Sequence, residues 1–330
     1  MIITRTPFRI SFFGGGTDYP QWFREHGGMV ISTTIDKYCY ISCRYLPPFF
    51  DHKYRIVYSR IENVSLSEEI QHPAVRHILQ YMKYTRGLEI HHDGDLPARS
   101  GLGSSSSFTV GLINALRALD GNHISDNELA SQAIHIEQNI IQENVGSQDQ
   151  VSASYGGFNR IDFHCNDSFR VTPIIMTNQR LQSFQDHLML FFTGVSRISS
   201  EVAKSKIDNI KSRIAEFQGI SEITKEAFSV LQSNAPLEEI GRLLDQSWRL
   251  KRSLSDKVST KSIDEIYAAA LSAGASGGKL LGAGGGGFLL FFVKPELQAK
   301  VKAALRNLIH VPFCFENTGS RVVLYQPQGL

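Results

Sequence analysis

A glycine- and serine-rich segment stands directly before a predicted helix. It runs from Pro97 to Ser107 and reads Pro-Ala-Arg-Ser-Gly-Leu-Gly-Ser-Ser-Ser-Ser. Small residues at the start of a helix let backbone N–H groups approach an anion, and the helix dipole and serine hydroxyls favour negative charge there. The sequence lacks the G-x-x-x-x-G-K-[ST] pattern of a common nucleotide-binding loop. The segment therefore predicts a phosphate-binding loop of another architecture.

Two carboxylates downstream of this loop are candidates for metal binding and acid–base chemistry. Glu137 interrupts an apolar stripe on a predicted helix, where a carboxylate is costly unless it is paired or binds a metal. We predict a magnesium ligand, and a salt bridge to another segment is the alternative. Asp149 follows a Gly-Ser turn, and a bend could bring it to the same site to orient or deprotonate a hydroxyl nucleophile. Alternatively, Asp149 caps a helix that begins at Gln150.

Near the N-terminus, a predicted strand ends in three consecutive glycines. Arg9 lies within this strand, and Thr17 and Asp18 come after the glycines. Glycine lets the backbone bend and approach a ligand closely, while Arg9 supplies a fixed positive charge. The pattern predicts a site for a small polar ligand.

A longer glycine run occupies positions 277–287, and part of it formally matches the dinucleotide pattern G-x-G-x-x-G. The apolar residues from Phe288 to Val293 come next and predict a buried strand, whereas a dinucleotide site requires a helix there. We therefore expect no nicotinamide-dependent oxidoreductase. The run predicts close approach to a ligand or to another loop, and a flexible hairpin turn is the alternative.

Taken in order, these segments resemble the motifs of the GHMP kinases, a superfamily that includes galactokinase, homoserine kinase, mevalonate kinase and phosphomevalonate kinase. The first motif spans 7–18, the second 97–107 and the third 279–287, so the resemblance covers nearly the whole chain. It implies an ATP-dependent kinase that phosphorylates an alcohol group on a small molecule, with Mg²⁺ as its cofactor.

The resemblance also implies roles for individual residues. Asp149 matches the catalytic aspartate and Arg9 the basic residue beside it, while Glu137 and Ser105 are expected to hold Mg²⁺. The nucleotide is expected to contact the second motif, at Pro97, Ser100, Gly101, Leu102, Gly103, Ser104, Ser105 and Ser106. The acceptor is expected to contact residues of the first and third motifs and of a later helix, namely Gly15, Gly16, Thr17, Asp18, Gly284, Gly285 and Arg249.

Within the superfamily, the chain is most similar to the heptose phosphate kinases, which phosphorylate the anomeric hydroxyl of D-glycero-D-manno-heptose 7-phosphate. The similarity rests on the segments 12–18, 146–150 and 247–252. Arg249, Lys251 and Arg252 are a candidate cluster for the acceptor's phosphate, and the solvated face of a helix is the alternative. An anomeric kinase for fucose or galactose and a non-catalytic sugar or nucleotide sensor remain open. Galactose is disfavoured because Gly14-Gly15-Gly16 replaces the more usual Gly-Glu-His.

The elements that must position these residues point to an α+β protein. With 330 residues the chain exceeds what one hydrophobic core supports, so two domains are expected. The resemblance implies an N-terminal domain over 1–180, similar to ribosomal protein S5 domain 2, and a ferredoxin-like C-terminal domain over 181–330. A net charge of +2 from 34 basic and 32 acidic residues argues against a nucleic-acid partner. Neither a leader nor a membrane span is predicted, which favours the cytoplasm, and the sequence is compatible with a homodimer.

Overall fold

The computed structural model describes residues 1–194 and 199–328 and contains two β-sheets with helices packed around them. The first sheet has nine strands, most of them from the first half of the chain. They are β1 (Ile2–Phe13), β2 (Gly28–Tyr45), β3 (Tyr54–Val57), β4 (Ile61–Val64), β5 (Leu88–Gly94), β6 (Phe158–Phe163), β7 (Phe169–Pro173), β12 (Phe315–Glu316) and β13 (Arg321–Tyr325).

The second sheet has four antiparallel strands in the order β11-β8-β10-β9. These strands are β8 (Leu188–Phe192), β9 (Ala275–Leu280), β10 (Phe288–Val293) and β11 (Ile309–His310). The helices are α1 (Pro20–His26), α2 (Pro73–Tyr81), α3 (Ser104–Leu119), α4 (Asp126–His135), α5 (Gln148–Tyr155), α6 (Asn178–Asp186), α7 (Ser199–Asp208), α8 (Ile214–Gln232), α9 (Glu238–Ser253), α10 (Lys261–Ser272) and α11 (Gln298–Ala304).

The long antiparallel pair of β1 and β2 forms the centre of the first sheet. Both strands are rich in β-branched and aromatic residues, which suit a pleated surface that is buried on one face or both. The pair holds Arg9 within β1 and brings the glycines after Phe13 to the end of the sheet. The backbone of this part of the site is thus fixed by a strand and not by a free loop.

Helix α3 packs against β1 and β2 through its apolar face. Phe108, Leu112 and Leu116 on this face are buried, as the helical spacing predicts. Gly111 lies against the sheet, since a Cβ atom there would come within 2.8 Å of the Thr6 hydroxyl. This tight packing sets the position of the helix N-terminus, where the predicted phosphate loop ends.

The last strands of the chain depart from the predicted division at residue 180. β13 pairs with β1, and β12 pairs with β2, so both belong to the first sheet. Sequence pattern identifies a strand but not its partner, because strand pairing is set by tertiary packing. The two-domain boundary stays a prediction, with the amendment that the chain returns to the first sheet after β11.

Most predicted elements agree with the structure, and the ends of some helices differ. The sequence pattern predicts strands over Ile2–Phe13 and Gly28–Tyr45, which are the bounds of β1 and β2. It also predicts a helix from Glu296 to Ile309, where the structure has the shorter α11, preceded by a single 3₁₀ turn. Within the described parts of the chain, no helix is both long and apolar enough to span a bilayer.

Candidate active site

A cleft of about 840 Å³ lies where the predicted motifs meet, and its size suits a small-molecule site. Its walls include Arg9, Asp18 and Asp149, together with the start of α3 and part of the third glycine run. The structure thus brings together segments that are more than a hundred residues apart along the chain.

The second motif forms the turn that begins α3. Gly101 and Gly103 adopt left-handed backbone conformations, with φ of 88° and 76°, which glycine adopts without steric cost. The predicted nucleotide contacts that line the cleft are Gly101, Gly103, Ser104, Ser105 and Ser106. They stand at a helix N-terminus, where unpaired N–H groups and the helix dipole favour an anion. This geometry fits the predicted phosphate loop.

Three residues predicted to contact the nucleotide do not line the cleft. Pro97 is exposed, and Leu102 is fully buried in the core, where its carbonyl accepts the Arg9 backbone N–H at 3.0 Å. Ser100 is buried and packs against the third glycine run, so it supports the loop from behind. The structure thus places these three outside the lining of the cleft because two of them pack inward, and their contact with the nucleotide stays a prediction.

The third glycine run joins β9 to β10 as a hairpin and packs against the phosphate loop. A Cβ atom on Gly282 would lie 2.4 Å from the Gly101 Cα, and one on Gly287 would lie 2.1 Å from the Ser100 carbonyl oxygen. Such distances exclude any side chain. The run is therefore both a hairpin and a support for the loop, as the close-approach interpretation requires.

Gly284 and Gly285, predicted to contact the acceptor, face away from the cleft. Both are buried against Val258, whose carbonyl accepts the Gly285 N–H at 2.9 Å. Their neighbours Gly282 and Ala283 line the cleft in their place. A glycine run fixes where the backbone comes close to another segment, but it does not tell which of its members faces a ligand.

Arg9 and Asp149 form a bidentate ion pair at the centre of the cleft. Arg9 Nε and Nη2 donate to the two Asp149 oxygens at 2.8 Å each, and Nη1 donates to the Gly101 carbonyl at 2.7 Å. The Arg9 side chain is 4% exposed, but that of Asp149 is 26% exposed and thus accessible to a ligand. Asp149 lies in the first turn of α5, one residue after its start, so the capping alternative does not hold. The pair orients this carboxylate next to the phosphate loop.

Glu137 lies in a single π-helical turn, Ile136–Ile140, that continues α4. This side chain is fully buried, and its Oε2 accepts hydrogen bonds from the Ser106 hydroxyl at 2.9 Å and from the Gln150 amide. Burial raises the pKa of Glu137 to about 7. No cation among the described residues pairs with it, which leaves the salt-bridge alternative without support.

Ser106, and not Ser105, is the serine that faces Glu137. Ser105 is exposed to the cleft and turned away from Glu137, because neighbouring helical residues differ by about 100° in direction. Glu137 Oε1 accepts no well-formed hydrogen bond from a described residue, although the buried Thr109 hydroxyl lies near this carboxylate, and Ser106 lines the cleft. Mg²⁺ commonly uses one or two carboxylates and completes its shell with water and phosphate oxygens. The orphaned carboxylate oxygen and the adjacent hydroxyl therefore fit this ion, although the described residues contain no cluster of three or more acidic, histidine or cysteine ligands.

The N-terminal glycine segment forms the opposite wall. Gly15, Gly16 and Asp18 line the cleft. The Asp18 carboxylate is buried and accepts the backbone N–H groups of Gly16 and Gln148, at 2.8 and 3.3 Å. Burial raises the pKa of Asp18. Thr17, however, turns inward, and its hydroxyl bonds to the Gly14 and Met29 backbones, so it holds the turn and does not reach the cleft.

Of the predicted basic cluster on α9, Lys251 lines the cleft, whereas Arg249 and Arg252 do not. Arg249 is 72% exposed and pairs with Asp245 one helical turn away, outside the cleft. Lys251, two residues later, is buried and lines the cleft. A helix turns by about 200° over two residues, so the two cations cannot share a face.

Two further lysines in the cleft wall escaped prediction, Lys206 and Lys279. Lys206 comes after Val202 and Ala203 on the buried face of α7, and a charged residue on an apolar stripe is the signal that had identified Glu137. Lys279 lies within the third motif, near the end of β9. The glycines around it are the more conspicuous feature of that segment, so its charge was overlooked.

Two family models match this chain. The model of the GHMP kinases N terminal domain matches residues 69–157, and that of the GHMP kinases C terminal domain matches residues 231–310. Together they cover just over half of the chain, including the phosphate loop, Glu137, Asp149 and the third glycine run. The chain belongs to the GHMP kinases. The prediction of an ATP-dependent small-molecule kinase is thereby confirmed.

Known proteins resemble this GHMP kinase over more than nine-tenths of its length. It is 29% identical over 325 residues to D-glycero-alpha-D-manno-heptose 7-phosphate kinase of Campylobacter jejuni, an alignment that covers 93% of each chain. The structure of a D-glycero-D-manno-heptose 1-phosphate kinase from Bacteroides thetaiotaomicron has a TM-score of 0.79 at 24% identity and covers 98% of each chain. A galactokinase from Lactococcus lactis, complexed with galactose, has a TM-score of 0.75 at 18% identity, covering 97% of this chain and 94% of that one. These structures confirm the α+β GHMP kinase fold.

Proposed function

We propose that this GHMP kinase transfers the terminal phosphoryl group of ATP to the anomeric hydroxyl of D-glycero-D-manno-heptose 7-phosphate, giving the 1,7-bisphosphate. The observation that carries the chemistry is the Arg9–Asp149 pair next to the N-terminus of α3. The heptose phosphate is supported by the relative from Campylobacter jejuni, which has that activity in its name and aligns with 93% of this chain.

The loop at the start of α3 is the proposed phosphate site of the nucleotide. Its free N–H groups and the hydroxyls of Ser104, Ser105 and Ser106 can donate to phosphate oxygens. The third glycine run prevents the loop from collapsing, because Gly282 and Gly287 contact its backbone directly. A rigid cradle lowers the free-energy cost of ordering the phosphates for in-line transfer.

Asp149 is the proposed catalytic residue. The acceptor hydroxyl oxygen attacks the terminal phosphorus, the bond from phosphorus to the bridging oxygen breaks, and ADP leaves with that electron pair. Asp149 orients the hydroxyl and takes its proton as the new bond forms. Arg9 holds both oxygens of this carboxylate, so its lone pairs stay directed at the cleft.

Glu137 and Ser106 are the residues proposed to hold Mg²⁺. The ion would supply charge neutralisation on the ATP phosphates. Burial raises the pKa of Glu137 to about 7, and a bound cation would favour the ionised carboxylate.

The experiment that tests the proposed function measures ADP release with ATP over a panel of acceptors. The panel contains D-glycero-D-manno-heptose 7-phosphate, the unphosphorylated heptose, fucose, galactose and mevalonate, and phosphorus NMR locates the new phosphate. We expect the heptose 7-phosphate to give the highest kcat/KM, with the new phosphate on the anomeric oxygen. A preference for fucose or another unphosphorylated sugar would overturn the proposed acceptor, while ATP-dependent turnover would keep the kinase assignment.

A further inference from the structure

Three buried lysines converge on the wall of the cleft that holds Asp18. Lys206 of α7, Lys251 of α9 and Lys279 of β9 all line the cleft, and none is more than 6% exposed. Lysine is among the residues least often buried without a partner, so three in one place need an explanation. We call these three residues the lysine cluster.

The cluster is short of negative charge. Within the described ranges, no carboxylate lies within ion-pair distance of any of the three ammonium groups. Lys279 Nζ donates to the Phe12 carbonyl at 2.7 Å, and Lys251 Nζ donates to the Leu280 and Gly282 carbonyls at 2.8 and 2.6 Å. An ammonium group has three donors, so Lys279 keeps two and Lys251 keeps one for a ligand.

Lys206 is the cluster member with the fewest contacts. Its Nζ lies 5.3 Å from the centre of the Tyr19 ring, and it donates no hydrogen bond to any residue in the described ranges. The negative charges of Asp18 and Asp149 partly offset the effect of burial on the pKa of Lys206. The Asp149 carboxylate is already engaged by Arg9, so it cannot neutralise the cluster as well.

The charges in the cluster oppose one another. Burial lowers the pKa of Lys279 to about 7 and that of Lys206 to about 8, and the positive charges of Arg9 and Lys206 add to the effect at Lys279. Burial together with Lys279, Lys206 and Arg9 lowers the pKa of Lys251 as well. A bound anion would stabilise the protonated forms and offset this repulsion.

We propose that the lysine cluster binds the phosphate group that the acceptor already carries. Two of the lysines place this subsite beside the first motif, because Lys279 bonds to the Phe12 carbonyl at the end of β1 and Lys206 lies over the ring of Tyr19, next to Asp18. A phosphate ester offers several acceptor oxygens and up to two negative charges, which match the free donors of three ammonium groups. The inference rests on the proposed function, because it concerns the acceptor of the same reaction.

The test compares Lys206→Met with Lys204→Met in the full chain. Lys204 lies on the same helix but is exposed, so its variant controls for the loss of a charge from α7. Calorimetry measures binding of heptose 7-phosphate and of unphosphorylated heptose without ATP, and steady-state assays give KM for each acceptor and for ATP. We expect Lys206→Met to weaken binding of the phosphorylated sugar by about tenfold or more, the loss typical of a hydrogen bond to a charged group.

Lys206→Met should leave the binding of unphosphorylated heptose and the KM for ATP within about twofold of wild type. Lys204→Met should change neither the binding of either sugar nor the KM for ATP. An equal loss for both sugars would overturn the inference, since Lys206 would then contact a hydroxyl. A loss confined to ATP would overturn it too, by assigning the lysines to the nucleotide.

A second variant, Lys279→Met, repeats the same binding measurements at another lysine of the cluster. Thermal unfolding checks that this variant folds. If wild type binds the phosphorylated sugar no better than the unphosphorylated one, the subsite is disproved. If wild type binds the ester through Lys206 but does not phosphorylate it, the subsite stands and the proposed function fails.

Discussion

At the scale of single residues, the chemistry depends on how two carboxylates are held. Asp149 is fixed by a bidentate arginine and stays accessible, whereas Glu137 is fully buried and bonded through one oxygen. The first arrangement suits a group that contacts the acceptor, and the second suits a group that binds a cation from the buried side of the cleft wall. Environment thus separates the roles of two residues with the same functional group.

Replacing Asp149 by asparagine tests its role in proton transfer. Asp149→Asn keeps the shape of the side chain but removes the basic oxygen, so we expect kcat to fall by about 10²- to 10⁴-fold while ATP still binds. Asp167→Asn breaks an exposed pair with Arg24 and serves as the matched control, with kcat unchanged. Near-normal turnover in Asp149→Asn would remove this residue from the mechanism.

The two neighbouring serines provide a paired test of the metal site. Ser106→Ala removes the hydroxyl that bonds to Glu137, so the Mg²⁺ concentration for half-maximal activity should rise by about ten- to a hundredfold. Ser105→Ala alters an exposed side chain and should leave this concentration nearly unchanged. The measurement is a magnesium titration at saturating ATP, and the reverse order of the two effects would restore Ser105 as the ligand.

At the scale of elements, glycines decide where two loops can touch. Gly282→Ala would place a Cβ atom 2.4 Å from the Gly101 Cα, and Gly121→Ala would meet no atom within 4 Å. Both glycines have a φ near 70°, so backbone strain is matched between the two variants. We expect Gly282→Ala to cost about 1–3 kcal/mol more in the free energy of unfolding and to raise the KM for ATP. Equal denaturant midpoints for the two variants would show that the loops can move apart without a cost in the free energy of unfolding.

Helix α2 carries a histidine at its N-terminus that couples its stability to pH. His72 stacks on Phe108 with ring centres 4.7 Å apart, and burial lowers its pKa from 6.5 to about 4. The folded state therefore binds fewer protons than the unfolded state in this range, and stability present above pH 6.5 is lost as the pH falls towards 4. Unfolding measured in urea at several pH values should show this loss, and His72→Gln should make it smaller. An identical pH dependence in the variant would contradict the assignment.

Site residues could be predicted from the sequence when their residue type conflicted with the surrounding pattern. Glu137 on an apolar stripe and glycine runs longer than a turn requires were both informative: Glu137 bonds to Ser106 in the cleft wall, and Gly16, Gly101 and Gly282 line the cleft. The side a residue faces was harder to predict, as Ser105 and Ser106 or Arg249 and Lys251 illustrate, because a small error in helix phase reverses the face. Lys206 was missed although it carries the same signal as Glu137.

At the scale of the whole molecule, the second half of the chain completes the first. Lys279 and Gly282 reach the cleft from the second sheet, while β12 and β13 return to the first sheet. Neither the sheet nor the cleft can therefore be assembled from residues 1–180 alone. The pairing of β13 was not predictable from its sequence, because its alternating pattern fits any exposed edge.

Removal of β13 tests this dependence. A chain that ends at Gly319 lacks the strand that covers the outer edge of β1, so we expect a lower unfolding temperature and faster hydrogen exchange at the β1 amides. A chain that ends at Gln326 keeps the strand and should behave as the full-length protein does. Equal protection of β1 in both chains would show that β13 contributes little to the sheet.

The late return of β12 and β13 also bears on how the protein is made. A ribosome adds roughly 5–20 residues per second, so β1 waits on the order of half a minute before its partner at Arg321–Tyr325 is synthesised. Throughout that interval the nascent chain exposes an unpaired strand edge, the kind of surface that invites association with other chains. The order of the strands thus makes this edge of β1 among the last parts of the first sheet to be paired during synthesis.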